Sequence, residues 1–364
     1  MEAATGHIIW SRDLVKELGA IVIPWQNAAS PLLMGDLIFL NGNVPGRRLM
    51  ALRKADGSTA WQGQDDGLTQ STPITATLAG TPQVIFFTQT GLVSVAPETG
   101  DVFWRYSLPQ NTSTAASPVA ADDVVYGSAG YGVGAGVARI SRNETGLTAQ
   151  EVWRTRGANM NHWATPVYHE GHFYGIYGHS LVRLSCVEAA TGTVKWNQEG
   201  VGYGSVLMVA GNILVFTETG VIALVKPDPT AYTEIARFKA VQGKCWNVAA
   251  ISNGRIYARS TTEAAAYDVA LTNAPPPPPK MPLKLFPLVS AGTKPFSLRI
   301  ANEDDSPLDP LRVPQIDVLV TSNLTSDLIE WSLWTSPVLT NGELVVEAPF
   351  SPSAPQRFFK AQER

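Results

Sequence analysis

Along the first 270 residues, short apolar runs alternate with turn residues, and few of the runs keep helical spacing. "LLMGDLIFL" (Leu32 to Leu40) sets two such runs around Gly35-Asp36, and "VAADDVVYG" (Val119 to Gly127) does the same around Asp122-Asp123. "VYHEGHFYG" turns at Glu170-Gly171, "MVAGNILVF" at Gly211-Asn212 and "AAISNGRIYA" at Asn253-Gly254. Turn dipeptides between alternating apolar segments are hairpin signals, so the pattern predicts consecutive antiparallel strands.

A second pattern punctuates the first. "EAATGHIIW" (Glu2 to Trp10), "ALRKADGSTAW" (Ala51 to Trp61), "VAPETGDVFW" (Val95 to Trp104), "RNETGLTAQEVW" (Arg142 to Trp153) and "VEAATGTVKW" (Val187 to Trp196) repeat a turn followed by a strand ending on Trp. A degenerate copy, "VKPDPTAYTEIARF", ends on Phe238. The closing aromatics are separated by 51, 43, 49, 43 and 42 residues, the period of a four-stranded propeller blade. Before four of the hairpins stands a small residue, then Ser or Thr, then Pro (Ser30-Pro31, Thr72-Pro73, Ser117-Pro118 and Thr165-Pro166), and the last two hairpins carry weaker copies without the proline. A unit therefore reads as strand, turn, strand, strand, Gly-containing turn and a last strand whose Trp packs between neighbouring units.

These residues resemble the pyrroloquinoline-quinone-like propeller repeat, Ala-Leu-Asp-x-x-Thr-Gly-x-x-x-Trp, over about residues 1 to 270. That superfamily includes quinoprotein alcohol dehydrogenases and the BamB-type outer-membrane assembly scaffold. "NHWATPVYHEGHFYGI" and "GKCWNVAAISNGRIYAR" also look like the propellers common in Verrucomicrobia and Planctomycetes. The resemblance implies an all-β propeller of four-stranded blades, about six in this chain, and an exported, periplasmic or extracellular protein. Relatives of this kind carry about eight blades behind an export signal, and no signal peptide stands in this sequence. Two expectations stay open: a chain shortened from eight blades, or a ring in which His7 to Trp10 completes the last unit by pairing with Ala264 to Val269.

The propeller is expected to span 1–270. "NAPPPPPKMP" follows, and five consecutive prolines predict a stiff extended linker over 271–282. The remainder, 283–364, alternates in "FSLRIAN", "QIDVLVTSNL", "IEWSLWTS", "GELVVEAPF" and "QRFFKAQ", which predicts a small β-sandwich-like domain.

Composition narrows the function. Only 16% of the 364 residues are charged, the net charge is −4 and no basic run occurs, so no nucleic-acid or anionic-lipid partner is expected. No apolar run is long enough to span a bilayer. The two cysteines, Cys186 and Cys245, form no Cys-x-x-Cys pair.

Residues just upstream of each first strand should ring the channel mouth. Asn27, Gln70, Asn161, His162, Trp163, Tyr203, Cys245 and Trp246 are the candidates for binding a cofactor or ligand there, with His162 the best proton carrier. Four histidines fall between 162 and 179, but His169 and His172 flank a hairpin turn at the other end of the strand, and no metal site is predicted. Lys244 beside Cys245 could lower its thiol pKa, although a packed thiol is the expected role. By resemblance, a dehydrogenase would hold pyrroloquinoline quinone with calcium, an acidic base and paired cysteines. The sequence has no Cys-Cys pair and no Asp or Glu among the expected mouth residues. The leading expectation is a non-catalytic binding or scaffold module taking a protein partner or small-molecule ligand at the channel mouth. The alternative is a quinone-dependent dehydrogenase oxidising an alcohol or sugar.

Overall fold

The computed structural model describes residues 1–2, 4–157 and 160–269, and in the C-terminal part 283–288, 296–304, 306, 308, 313, 316–321, 332–335, 339–340, 343–348 and 358–363. The expected proline linker, 271–282, and, of the predicted strand segments, residues 315, 322–324, 329–331, 336, 342, 349–350 and 356–357 lie outside the described residues. The chain divides into two compact units, Met1–Val269 and Ala270–Arg364.

The first unit is a run of antiparallel meanders. Blade 1 holds β1 (Leu32–Met34), β2 (Leu37–Asn41), β3 (Leu49–Arg53) and β4 (Thr59–Gly63), and blade 2 holds β5 (Ile74–Leu78), β6 (Thr81–Thr88), β7 (Gly91–Val95) and β8 (Val102–Ser107). Blade 3 holds β9 (Val119–Ala121), β10 (Val124–Ala129), β11 (Gly134–Asn143) and β12 (Gly146–Thr155). Blade 4 holds β13 (Val167–His169), β14 (His172–Tyr177), β15 (Arg183–Glu188) and β16 (Val194–Gln198), and blade 5 holds β17 (Gly204–Val209), β18 (Asn212–Thr217), β19 (Val221–Val225) and β20 (Glu234–Lys239). A sixth sheet has three strands, β21 (Ala250–Ser252), β22 (Arg255–Arg259) and β23 (Ala264–Asp268). The middle strands are buried on both faces, as in β7 and β10, because each sheet is covered by its neighbours.

The repeated residues explain how blades join. Trp61 donates its indole N–H to the Pro97 carbonyl of blade 2 at 2.7 Å, Trp153 donates to Ala189 of blade 4 at 2.8 Å, and Trp196 donates to Asp228 of blade 5 at 2.8 Å. The turn glycine is needed at this contact: Gly100 has φ +77°, and a Cβ there would stand 2.5 Å from the Trp61 ring. Trp104 departs from the pattern and donates to Gln83 Oε1 within its own blade, at 2.6 Å. The cause is blade 3, whose ten-residue strands β11 and β12 carry the Gly146 turn farther out. The Ser/Thr-Pro repeat supplies a second tie, since Thr72 Oγ1 accepts from Ser30 N–H and Thr165 Oγ1 accepts from Ser117 N–H, each across adjacent blades.

Trp10 makes the same contact as its counterparts, donating to the Lys54 carbonyl of blade 1 at 2.7 Å and lying on Gly57. Beside it, the helix α1 (Leu14–Leu18) is capped by Asp13, ends on left-handed Gly19 and packs with Ala20 and Trp10 on Met50 and Leu52. His7 to Trp10 form no strand, and among the described residues β23 pairs with β22 alone, so the expected pairing of His7–Trp10 with Ala264–Val269 is not formed.

In the second unit, β24 (Leu283–Leu288), β25 (Phe296–Asn302), β28 (Leu339–Thr340) and β29 (Glu343–Ala348) form one sheet. β26 (Ile316–Thr321), β27 (Ser332–Thr335) and β30 (Phe358–Glu363) form another. Ile300, Leu308, Val313, Ile316 and Val318 fill the space between them, packed by Leu283, Leu285, Phe359 and Ala361.

Candidate functional site at the channel mouth

First strands of neighbouring blades touch: β5 with β9, β9 with β13, and β13 with β17. Antiparallel alternation then fixes which loops share an end. In a four-stranded meander, the entry to the first strand and the turn from second to third strand lie at one end, and the other two turns lie at the opposite end. His169 and His172, paired at the β13–β14 turn, therefore sit at the end opposite His162.

A cavity of about 890 Å³ opens along the first strands. Its walls include Thr72, Ser117, Thr165 and Val206, and its rim carries Tyr131, His162, Trp163, Tyr203, Cys245 and Trp246. Among the eight predicted site residues the structure thus brings together His162, Trp163, Tyr203, Cys245 and Trp246. The other three are occupied elsewhere. Asn27 closes its own loop, accepting from Ile23 N–H at 3.1 Å and donating to the Ile21 carbonyl at 3.2 Å. Gln70 is a strut, donating to the Pro24 carbonyl and accepting from Ser113 Oγ, both at 3.0 Å. Asn161 is wholly buried between blades 3 and 4, accepting from the Tyr126 hydroxyl at 2.6 Å and donating to the Ile176 carbonyl at 2.7 Å.

The rim is a continuous series of rings. His162 lies tilted against Trp163, 4.1 Å centroid to centroid, with Tyr131 at 4.7 Å and His179 at 4.8 Å. Trp163 lies 5.2 Å from Tyr203, whose hydroxyl donates to the His179 carbonyl. Tyr203 accepts from Glu218 N–H through its carbonyl, and Glu218 in turn accepts from the Trp246 indole N–H at 3.1 Å. The Lys244 ammonium sits 4.3 Å over the Trp246 ring. Trp246 is 76% exposed, Trp25 63% and Trp163 42%, although all three are large apolar side chains.

His162 is 6% exposed, and its Nδ1 has no hydrogen-bond partner. Burial and then the neighbouring His179 hold its pKa down, to about 4, so the ring is neutral at physiological pH. Burial pushes the Cys245 thiol up, outweighing the nearby Lys239 ammonium, and the Lys244 ammonium rests on Trp246 instead. The lysine-activated thiol considered from sequence is therefore not what the structure holds.

Sequence reading missed Glu218, His179 and Tyr131. All three lie in turns from second to third strands, which strand alternation carries to the same end as the Ser/Thr-Pro entries. Their signal was present in "TETG", "YGHS" and "SAGYG" at equivalent places in successive repeats. The expectation of a mouth without Asp or Glu is corrected by Glu218, a cavity-lining carboxylate.

Quinone with calcium fits this lining poorly. Calcium takes roughly six to eight oxygen ligands, drawn from carboxylates, amide and backbone carbonyls and water. Glu218 is the one carboxylate among the described lining residues, and it is engaged with Trp246. Nor does any Lys or Arg among the described residues line the cavity to meet the carboxylates of the quinone. Among the described residues no three of His, Cys, Asp and Glu gather as a metal-binding group.

No curated protein matches the chain. Among solved structures, it is similar to BamB from Moraxella catarrhalis at 18% identity, covering 65% of this chain and 67% of that one, with a TM-score of 0.47. The quinohemoprotein alcohol dehydrogenase of Comamonas testosteroni is similar at 14% identity, covering 62% and 44%, with a TM-score of 0.41. The computationally designed Ika8 protein is similar at 9% identity, covering 66% and 83%, with a TM-score of 0.42. The family model described as outer membrane protein assembly factor BamB matches residues 1–197, more than half the sequence. With its repeats in register and its blades docked through the repeat tryptophans, the chain belongs to this family of PQQ-like propellers.

Proposed function

We propose that the propeller is a non-catalytic scaffold that seats a protein partner over its channel mouth, in the periplasm or outside the cell. One observation carries the reading: Trp25, Trp163 and Trp246 are exposed around a single cavity, while the repeat tryptophans are used between blades. Exposed Trp and Tyr with an apolar face and a polar tip are the residue types that dominate interface energies. The family description, outer membrane protein assembly, supports a scaffold role. No helix among the described residues is long and apolar enough to cross a membrane. A dehydrogenase would need calcium and quinone donors that the described lining does not supply.

Peptide display on the wild-type protein, with retesting on a Trp163→Ala/Trp246→Ala double variant, tests the proposal. Selected peptides should lose roughly tenfold or more in affinity on the double variant. Equal binding to both proteins would remove the mouth as the docking site. Saturable quinone binding in calcium, with dye reduction by an alcohol, would replace the scaffold with an enzyme.

A further inference from the structure

The partner's chemistry follows from the charge and rings at the mouth, and this step rests on the scaffold reading above. Among the described lining residues Glu218 is the one carboxylate, and no Lys or Arg stands with it. Around it stand Trp246, bonded to the carboxylate through its indole N–H, and Tyr203, whose carbonyl accepts the Glu218 N–H. Trp163 extends the same wall. The faces of Trp and Tyr are electron-rich, and a cation within about 6 Å of a ring centroid is attracted to them. The protein already demonstrates the interaction in cis, because the Lys244 ammonium lies 4.3 Å from the Trp246 centroid. Lys244 is exposed and is not a lining residue, so it covers the ring from outside while the carboxylate faces the cavity. Apart from Lys244, which stands outside the lining, an anionic guest finds no counter-charge among the described lining residues, and a neutral guest supplies none to Glu218.

We propose that the mouth takes a basic segment of the partner, placing a lysine ammonium or arginine guanidinium between the Trp163–Tyr203 wall, Trp246 and the Glu218 carboxylate. Lys244 then competes with the guest for the Trp246 face. The net charge of −4 favours the same sign of partner at long range.

A random seven-residue peptide display on the intact chain separates the outcomes. Wild-type binders should be enriched in Lys and Arg over the input library, and their affinity should fall as salt rises from 50 to 300 mM, roughly the range over which exposed charges become screened. Glu218→Gln keeps an acceptor for the Trp246 indole and removes only the charge, so it should weaken those binders by about fivefold. Lys244→Met should strengthen them, a direction that a merely structural role for Lys244 does not produce. Binders without Lys or Arg enrichment that still depend on Trp163 and Trp246 would overturn the basic-segment proposal and leave the scaffold reading standing. Binders indifferent to the two tryptophans would overturn both. Acid-rich binders, or Lys244→Met binding no better than wild type, would count against the cation site.

Discussion

His162 gives the sharpest energetic test of the mouth. Its ring is buried against Gly130, where a Cβ would stand 2.4 Å from Cδ2, and it is enclosed by Tyr131, Trp163 and His179. Desolvation first, and His179 second, lower its pKa from 6.5 to about 4. The unfolded chain therefore binds this proton more readily than the folded one. The stability contribution of the neutral ring is whole above pH 6.5 and is lost as pH falls through 4. At about 1.4 kcal/mol per pKa unit, linkage removes about 1 kcal/mol by pH 6, about 2 kcal/mol by pH 5 and about 3 kcal/mol by pH 4. Urea unfolding of wild type and His162→Gln at each pH is the assay. Gln titrates nowhere in this range, so the wild type should lose about 2 kcal/mol more than the variant between pH 7 and pH 5, whatever the variant's stability at pH 7. Parallel pH profiles would refute the buried neutral histidine.

Other consequences concern the blades and the thiols. Trp153→Ala should cost about 3 kcal/mol, since it empties an interblade slot and strips the Ala189 carbonyl of its donor. Exposed Trp246→Ala should change the unfolding free energy little, within about 0.5 kcal/mol in urea titration, while weakening partner binding. Gly100→Ala meets the Trp61 ring as well as an unfavourable φ, whereas Gly80→Ala at φ +71° has nothing within 4 Å. Thermal melts should place Gly100→Ala roughly 1–3 kcal/mol below wild type and below Gly80→Ala, and equal melting would contradict the packing role of the turn. Burial raises both thiols, Cys186 to about 11, so a disulfide reagent at pH 8 should label neither until denaturant is added.

The blades were legible because their signals are local and repeated: a hairpin dipeptide, a Thr-Gly turn and a terminal Trp each act over a few residues, and the period multiplies them. The sandwich strands of the second unit were legible for the same reason, through their alternation. The mouth was only half legible. Position before a first strand brought out His162, Trp163, Tyr203, Cys245 and Trp246, but the same position in blades 2 and 4 supplies Gln70 and Asn161, whose amides tie blades together. An Asn or Gln that recognises a ligand and one that satisfies a neighbouring carbonyl have the same sequence signature, and only the partners' positions separate them. Glu218 and His179 were missed because they belong to a different turn of the repeat, made adjacent to the first-strand entries only by the up-and-down order of four strands. Trp10 shows a further limit, since its motif correctly marks a blade contact but does not specify a paired strand.

Hydrogen–deuterium exchange with a display-selected peptide tests the docking site most directly, because it reads where a partner sits. Docking at the mouth slows exchange in peptides covering 160–167, 203–207 and 244–248 and leaves the outer strands β8, β12 and β16 little changed. Protection confined to those outer strands, with none at the mouth, would contradict it.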